Sequence, residues 1–207
     1  MFVAGVRTWR SRPDRASPTP AKRKISCKRR RFFILKHNDL KACMDSKRNE
    51  LAMHTGMLAG EIQALTVDDL GNDEIYVRRN WSKYDGLKCC KNGEERSVPI
   101  PISHQLYLKL KMLADFNPHG NGFIFYSTVK DKPMDSKQFN KYLKRALAEI
   151  GYADSKDICF HSWRHFFIAR MLDYVQDKRY VMALSGHKTE ALLNHYGVHL
   201  EDEKKNS

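Results

Sequence analysis

Several familiar handles of protein chemistry are missing from this sequence. No stretch of it approaches the run of about eighteen apolar residues needed to cross a bilayer, so no membrane partner is expected. The opening MFVAGV is too short for the apolar core of a secretion signal. Cysteine is scarce: Cys27, Cys43, Cys89, Cys90 and Cys159 are odd in number and form no C-x-x-C pair. That argues against a disulfide framework and a zinc knuckle, and for a reducing compartment, the cytoplasm. Internal repeats, a glycine-rich phosphate loop, a metal-ligand cluster and an acid pair suited to hydrolysis are also absent.

Positive charge is abundant. The 207 residues carry a formal net charge of +13 and a pI near 9.6, which suggests a polyanionic partner, most simply nucleic acid. The charge is uneven. Residues 1–31 hold eleven Lys or Arg against one acid, whereas the rest of the chain holds 26 bases against 23 acids. With three prolines and the run KRKISCKRRR, residues 1–31 read as a disordered basic arm. Lys22, Arg23, Lys24, Lys28, Arg29, Arg30 and Arg31 are its candidate DNA-binding residues. An Arg-rich, acid-poor start also has the composition of a mitochondrial transit peptide, but basic arms are commoner.

From Phe32 the pattern is globular, with 42% hydrophobic residues in the whole chain, enough for a core. Two short helices are expected over Asn38–Met44 and 48–54, and a third over 58–65. EIYVRRNW alternates and reads as a strand. LKCCKNGEERSVPIPI reads as a hairpin turning at Asn92-Gly93. Ser103 caps a helix with Leu106, Leu110 and Leu113 on one face, and FIFY is a short buried extended segment. A helix opened by Asp135 or Ser136 ends at Gly151, and 160–174, 177–185 and 188–196 read as three more. The expected organisation is a basic arm over 1–31, a domain over 32–200 and a charged tail over 201–207. The domain is mainly α with a small antiparallel β-sheet.

Three local signals carry chemistry, and each has a bland reading. In HSWRHF, His161 and Arg164 are three apart and share a helical face, so both can donate to one anionic group. The bland reading is a capped histidine and a solvated arginine. In LSGHKTEALLNHYGVHL, Gly186 ends a helix, His187 starts the next, and Tyr196 follows nine residues later. A helix start favours an anion, although Tyr196 is equally a half-buried surface tyrosine. Lys91 beside Asn-Gly is ordinarily a solubilising charge. Together, Lys91, His161, Arg164, His187 and Tyr196 offer one phenol and several donors. That set suits nucleophilic attack on a phosphodiester, with donors on the non-bridging oxygens and lysine protonating the departing 5′ oxygen. No metal or other cofactor is required.

The order and spacing of these motifs resemble the catalytic domain of tyrosine recombinases, the phage-type integrases that share their chemistry with type IB topoisomerases. TGMLAGE supplies Thr55, Gly56, Gly60 and Glu61, and KNGEERSVPI supplies Lys91, Arg96, Val98 and Pro99. HSWRH supplies His161, Arg164 and His165, LSGH supplies His187, and NHYG supplies Tyr196. The resemblance implies site-specific DNA recombination or integration. Strand cleavage and rejoining would pass through a 3′-phosphotyrosyl intermediate on Tyr196, with Glu61 and His165 in support. Double-stranded DNA is the implied partner, with further copies of the chain or active recombinase protomers on the same DNA. A bacterial or phage-derived setting follows.

Three departures qualify what the resemblance implies. The family's first catalytic arginine falls on Leu58, which cannot donate to a phosphate, and Glu61 loses an expected ionic neighbour. The lead-in ACMDSKRNELAMHTG is shorter than the usual two helices. The family's N-terminal core-binding domain has no room, and only the basic arm stands in its place. A catalytically inactive DNA-binding relative and a degenerate integrase fragment are therefore the alternatives to an active strand transferase.

Overall fold

The computed structural model describes residues 37–90, 93–100, 105–152, 157–175, 177–191 and 193. The chain divides into two units, Met1–Leu40 and Lys41–Ser207. Of the first, only the start of helix α1 is described. The expected arm, the Ser103 cap and the tail lie outside the described residues.

Helix α1 (His37–Thr55) is one continuous element, where the sequence suggested two short helices with a polar break. The reason lies in Asp45 and Arg48, which both look like solvent residues and are both buried. Arg48 Nη2 sits 2.6 Å from Asp45 Oδ1, and its guanidinium carbon lies 4.0 Å from the centre of the Phe139 ring. The pair and the ring together replace the water that the charge loses. Asn49 ties the same turn to a later helix, accepting from Trp163 Nε1 at 2.9 Å and donating to Asp45 O at 2.8 Å.

Helix α1 stops at Thr55 because Gly56 has a φ of +61°, a left-handed conformation that closes the chain tightly. The six-residue helix α2 (Ala59–Ala64) follows, with Ile62 wholly buried. Gly60 in it is required by packing. A Cβ there would lie 2.2 Å from Asn80 Oδ1 and 2.7 Å from the Trp81 carbonyl oxygen.

The sheet differs from the expectation in two ways. First, the strand read over 74–81 is interrupted at Arg78, giving β1 (Glu74–Val77) and β2 (Arg79–Ser82). Second, the strands on either side of Gly93 do not pair with each other. Strand β3 (Gly86–Cys89) pairs antiparallel with β2, and β4 (Arg96–Pro99) pairs antiparallel with β1. The reversal therefore falls at Asp85-Gly86, where Gly86 has a φ of +71°, and Gly93 lies in the excursion between β3 and β4. Asn92 is outside the described residues. Both dipeptides carry hairpin chemistry. Register decides between them, because Ile75 opposite Val98 buries two β-branched side chains.

The remaining helices follow the expected boundaries closely. They are α3 (Gln105–Asp115), α4 (Ser136–Glu149), α5 (Ser162–Tyr174) and α6 (Lys178–Ser185). Asp135 and Asp177 cap α4 and α6, each accepting a backbone N–H at 2.9 Å. Phe123–Tyr126 is the buried extended segment expected, bonded through Ile124 N to Leu65 O at 3.1 Å. One apolar cluster joins α5 to α6 through Phe167, Ile168, Val181, Leu184 and Leu193. Each such buried side chain contributes about 1.5–3 kcal/mol, and the cluster fixes the angle between the two helices that carry Arg164 and lead to His187. The fold is mainly α with a small antiparallel β component. Among the described residues no helix is long and apolar enough to cross a membrane.

Candidate functional site

Four of the residues singled out in the sequence, Leu58, His161, Arg164 and His187, line one open cleft of about 890 Å³. Glu61 and Arg96 share it. Lys91 and Tyr196 lie outside the described residues, as do the seven arm residues from Lys22 to Arg31. Cys90, just before Lys91, and Glu94, shortly after it, line the same cleft.

Arg164 is the most deeply buried cation lining the cleft. It is 6% exposed, on the first turns of α5. Its Nη1 donates to the Gly56 carbonyl at 2.8 Å and its Nη2 to the Ser185 carbonyl at 2.6 Å. Two helix ends are thus turned toward one guanidinium. Both depend on glycine: Gly56 closes α1, and Gly186, with a φ of +73°, closes α6. The Thr55 hydroxyl, donating to Leu51 O at 2.7 Å, holds the first of these turns.

His187 sits between α6 and the helical residues that begin at Glu190, and not on the first turn of a helix as the spacing suggested. Its backbone N–H donates to Met182 O at 3.1 Å. Its ring is half-buried, with both nitrogens 3.4 Å from Arg164 Nη2 and Nδ1 2.7 Å from Ser185 Oγ. The Ser185 hydroxyl gives its proton to the Val181 carbonyl at 2.7 Å. It therefore accepts from His187, placing the ring proton on Nδ1. Burial, with the Arg164 and Arg96 charges and His161 behind it, pushes His187 down to about 4. At neutral pH it is a neutral imidazole in a positive environment. An anion in the cleft reverses the electrostatic part of that shift.

His161 precedes the first residue of α5 and is exposed at the cleft edge. Its ring meets that of His165 edge-on, with centres 5.0 Å apart. Leu58 is partly buried in an extended conformation. Its N–H donates to Glu61 Oε2 at 2.8 Å.

Leu58 gives Glu61 no side-chain cation, as expected, but another residue supplies one. Arg96 grips Glu61 with both terminal nitrogens, Nη1 to Oε1 at 2.8 Å and Nη2 to Oε2 at 2.7 Å. The two are 35 positions apart in the chain, and the strand pairing brings β4 against the start of α2. Sequence reasoning gave no site role to Arg96, nor to Ser185, which orients His187. The only signal for Ser185 was its position next to Gly-His, and short hydroxyl residues there are commonplace.

A sequence profile described as the phage integrase family matches residues 34–203. The tyrosine recombinase XerC of Neisseria gonorrhoeae is 25% identical over 152 residues, covering 72% of this chain and 45% of that protein. The chain thus spans less than half the length of that curated relative. Among solved structures, the Tn1549 transposon integrase in complex with transposon right end DNA aligns at a TM-score of 0.63 with 15% identity. That alignment covers 94% of this chain and 67% of the other. The XerH site-specific recombinase bound to difH substrate aligns at 0.62 with 19% identity, over 82% and 47%. At these identities the structural likeness speaks to the fold.

Proposed function

The chain belongs to the phage integrase family, and from that premise we propose that it acts in site-specific DNA recombination through a covalent protein–DNA intermediate. The substrate is double-stranded DNA, the setting the cytoplasm, and the working assembly includes further protomers on the same DNA. Tyr196 is the nucleophile. Its phenolic oxygen forms a bond to phosphorus as the bond to O5′ breaks, leaving a 3′-phosphotyrosyl link and a free 5′ hydroxyl. The phenolic proton passes to a cleft imidazole, and Lys91 supplies the proton taken up by O5′. Arg164 and His161 hold the non-bridging oxygens as their charge grows, and His187 joins them as a donor once its Nε2 has taken the phenolic proton.

The observation that carries this reading is the fixed Arg164 guanidinium. A buried cation oriented by the Gly56 and Ser185 carbonyls, with a neutral His187 imidazole beside it, is preorganised for an oxyanion. Preorganised donors of this kind account for the largest share of many rate enhancements. One observation favours a second reading, DNA binding without cleavage: the apolar Leu58 side chain in the cleft wall.

A nicked suicide duplex bearing a DNA site selected by binding separates the two. An adduct that disappears in Tyr196→Phe supports the strand transferase. Tight, site-selective binding with no adduct at any time point supports the non-cutting reading, and failure to bind any selected duplex overturns both.

A further inference from the structure

We propose that Arg96 provides a second guanidinium to an anion held in this cleft, with Glu61 setting how much of its charge that anion feels. The inference rests on the reading of the cleft as a phosphodiester site and adds a residue to it.

Arg96 opens β4 and has a side chain only 11% exposed. Its Nε donates to the Leu184 carbonyl at 2.9 Å, and its fork holds Glu61. These bonds engage three of the five guanidinium N–H groups. The loop that carries His187 is closed directly onto this group. A Cβ on Gly186 would lie 3.2 Å from Arg96 Nη1 and 3.4 Å from its Cζ. So the residue before His187 is pressed against the Arg96 fork, and Arg96 lines the cleft with Arg164 and His187.

The pair is a dipole, and its Arg96 end borders the loop that carries His187, where the Arg96 charge helps to hold that ring deprotonated. The same field acts on whatever anion takes the space beside His187. Glu61 is 3% exposed and also accepts the Leu58 N–H, so its carboxylate is fixed and permanently opposes Arg96. The two rim acids are engaged elsewhere: Glu94 lies 3.5 Å from Lys188 and Glu95 lies 3.9 Å from Arg78. Glu61 is therefore the carboxylate whose removal changes what Arg96 offers.

The test uses the full chain with inorganic sulfate as the probe, titrated while the His187 ring and the arginine Nε–H signals are followed by NMR. Sulfate should bind the wild type and raise the His187 pKa. Glu61→Gln should bind it about three- to tenfold more tightly, because a charge-assisted contact is released from its competitor. Glu61→Gln combined with Arg96→Met leaves no lone buried carboxylate and should bind more weakly than wild type. Arg96→Lys should fall between and serves if the double variant fails to fold. Equal affinity across these variants, with binding lost in Arg164→Met, overturns the role of Arg96 and leaves the cleft reading standing. No change at His187 in the wild type, and no effect of Arg164→Met, overturns the cleft reading and this inference with it.

Discussion

Arg164 Nη1 lies 2.8 Å from the carbonyl oxygen of Gly56, 108 positions earlier in the chain. The contact depends on a backbone turn that only glycine makes cheaply. Gly56 has a φ of +61°, and a Cβ there would lie 2.4 Å from the Phe167 ring. Gly56→Ala should cost about 1–3 kcal/mol for the backbone conformation and about 1–3 kcal/mol for overpacking. Gly93 is the internal comparison, with a φ of +72° and nothing within 4 Å of an added Cβ. Gly93→Ala should show the backbone cost alone. Denaturant midpoints with unchanged slopes measure both. Equal losses at the two positions would mean that the Phe167 contact does not constrain the turn.

Stability should fall in acid because of His187. Its native value is pushed down to about 4, below the ordinary 6.5. Between those values the unfolded chain binds a proton that the native chain does not, so stability rises with pH across that window. The contribution is fully present above about pH 6.5 and is lost as the pH drops toward about 4. For a half-exposed ring the loss is on the order of 1–2 kcal/mol once solvent screening is allowed for. His187→Gln should flatten the urea-midpoint profile over that range. A profile identical to wild type would show that His187 is not held neutral by the fold.

Much of this arrangement was legible in the sequence, and the parts that were not share a cause. Gly151 and Gly186 stood out because helices end on left-handed glycine, and Asp135 or Ser136 because helices begin on capping side chains. The grouping of His161 with Arg164 followed from helical spacing. Helix α1 was read as two helices because the charged run around Arg48 looks like a break, and nothing local announces Asp45 and Phe139 as its partners. Asp85-Gly86 and Asn92-Gly93 offer the same turn chemistry, and only the burial of Ile75 against Val98 chooses between them. The Glu61–Arg96 pair is likewise a product of strand register, invisible to a scan along the chain.

The buried pair in α1 should be far more sensitive to loss of one partner than of both. Asp45→Ala leaves Arg48 buried with its charge uncompensated and should cost about 3–5 kcal/mol. Replacing both, Asp45→Leu with Arg48→Met, should recover most of that loss, because an apolar pair of similar volume needs no desolvation. A thermal-melt double-mutant cycle reads the coupling. Additive losses would show that the pair is solvated in the folded protein.

DNA affinity should depend steeply on salt, and much of that dependence should come from residues 1–31. Their eleven basic residues face one acid, and each phosphate neutralised on duplex DNA adds about 0.9 to the slope of log affinity against log salt. Deleting the arm should flatten the slope without altering which sites are preferred. An unchanged slope would place the phosphate contacts elsewhere in the chain.

Leu58→Arg tests whether the cleft is otherwise competent. Leu58 has an extended backbone, with φ −71° and ψ 153°, which any side chain tolerates, so the fold cost should be small. The introduced guanidinium finds Glu61 already gripped by Arg96 and by the Leu58 N–H. It is thus not drawn wholly into a new ion pair and stays available to a phosphate. One added oxyanion donor should raise cleavage by about two to three orders of magnitude. The product is a covalent adduct on Tyr196, resolved by denaturing gel and absent in Tyr196→Phe. Combining Leu58→Arg with Glu61→Gln should raise the rate further, since the carboxylate opposing both cations is gone. Suppose the Leu58→Arg protein melts like wild type, binds its DNA and still forms no adduct. The missing arginine is then not the only lesion, and the non-cutting reading replaces the enzymatic one.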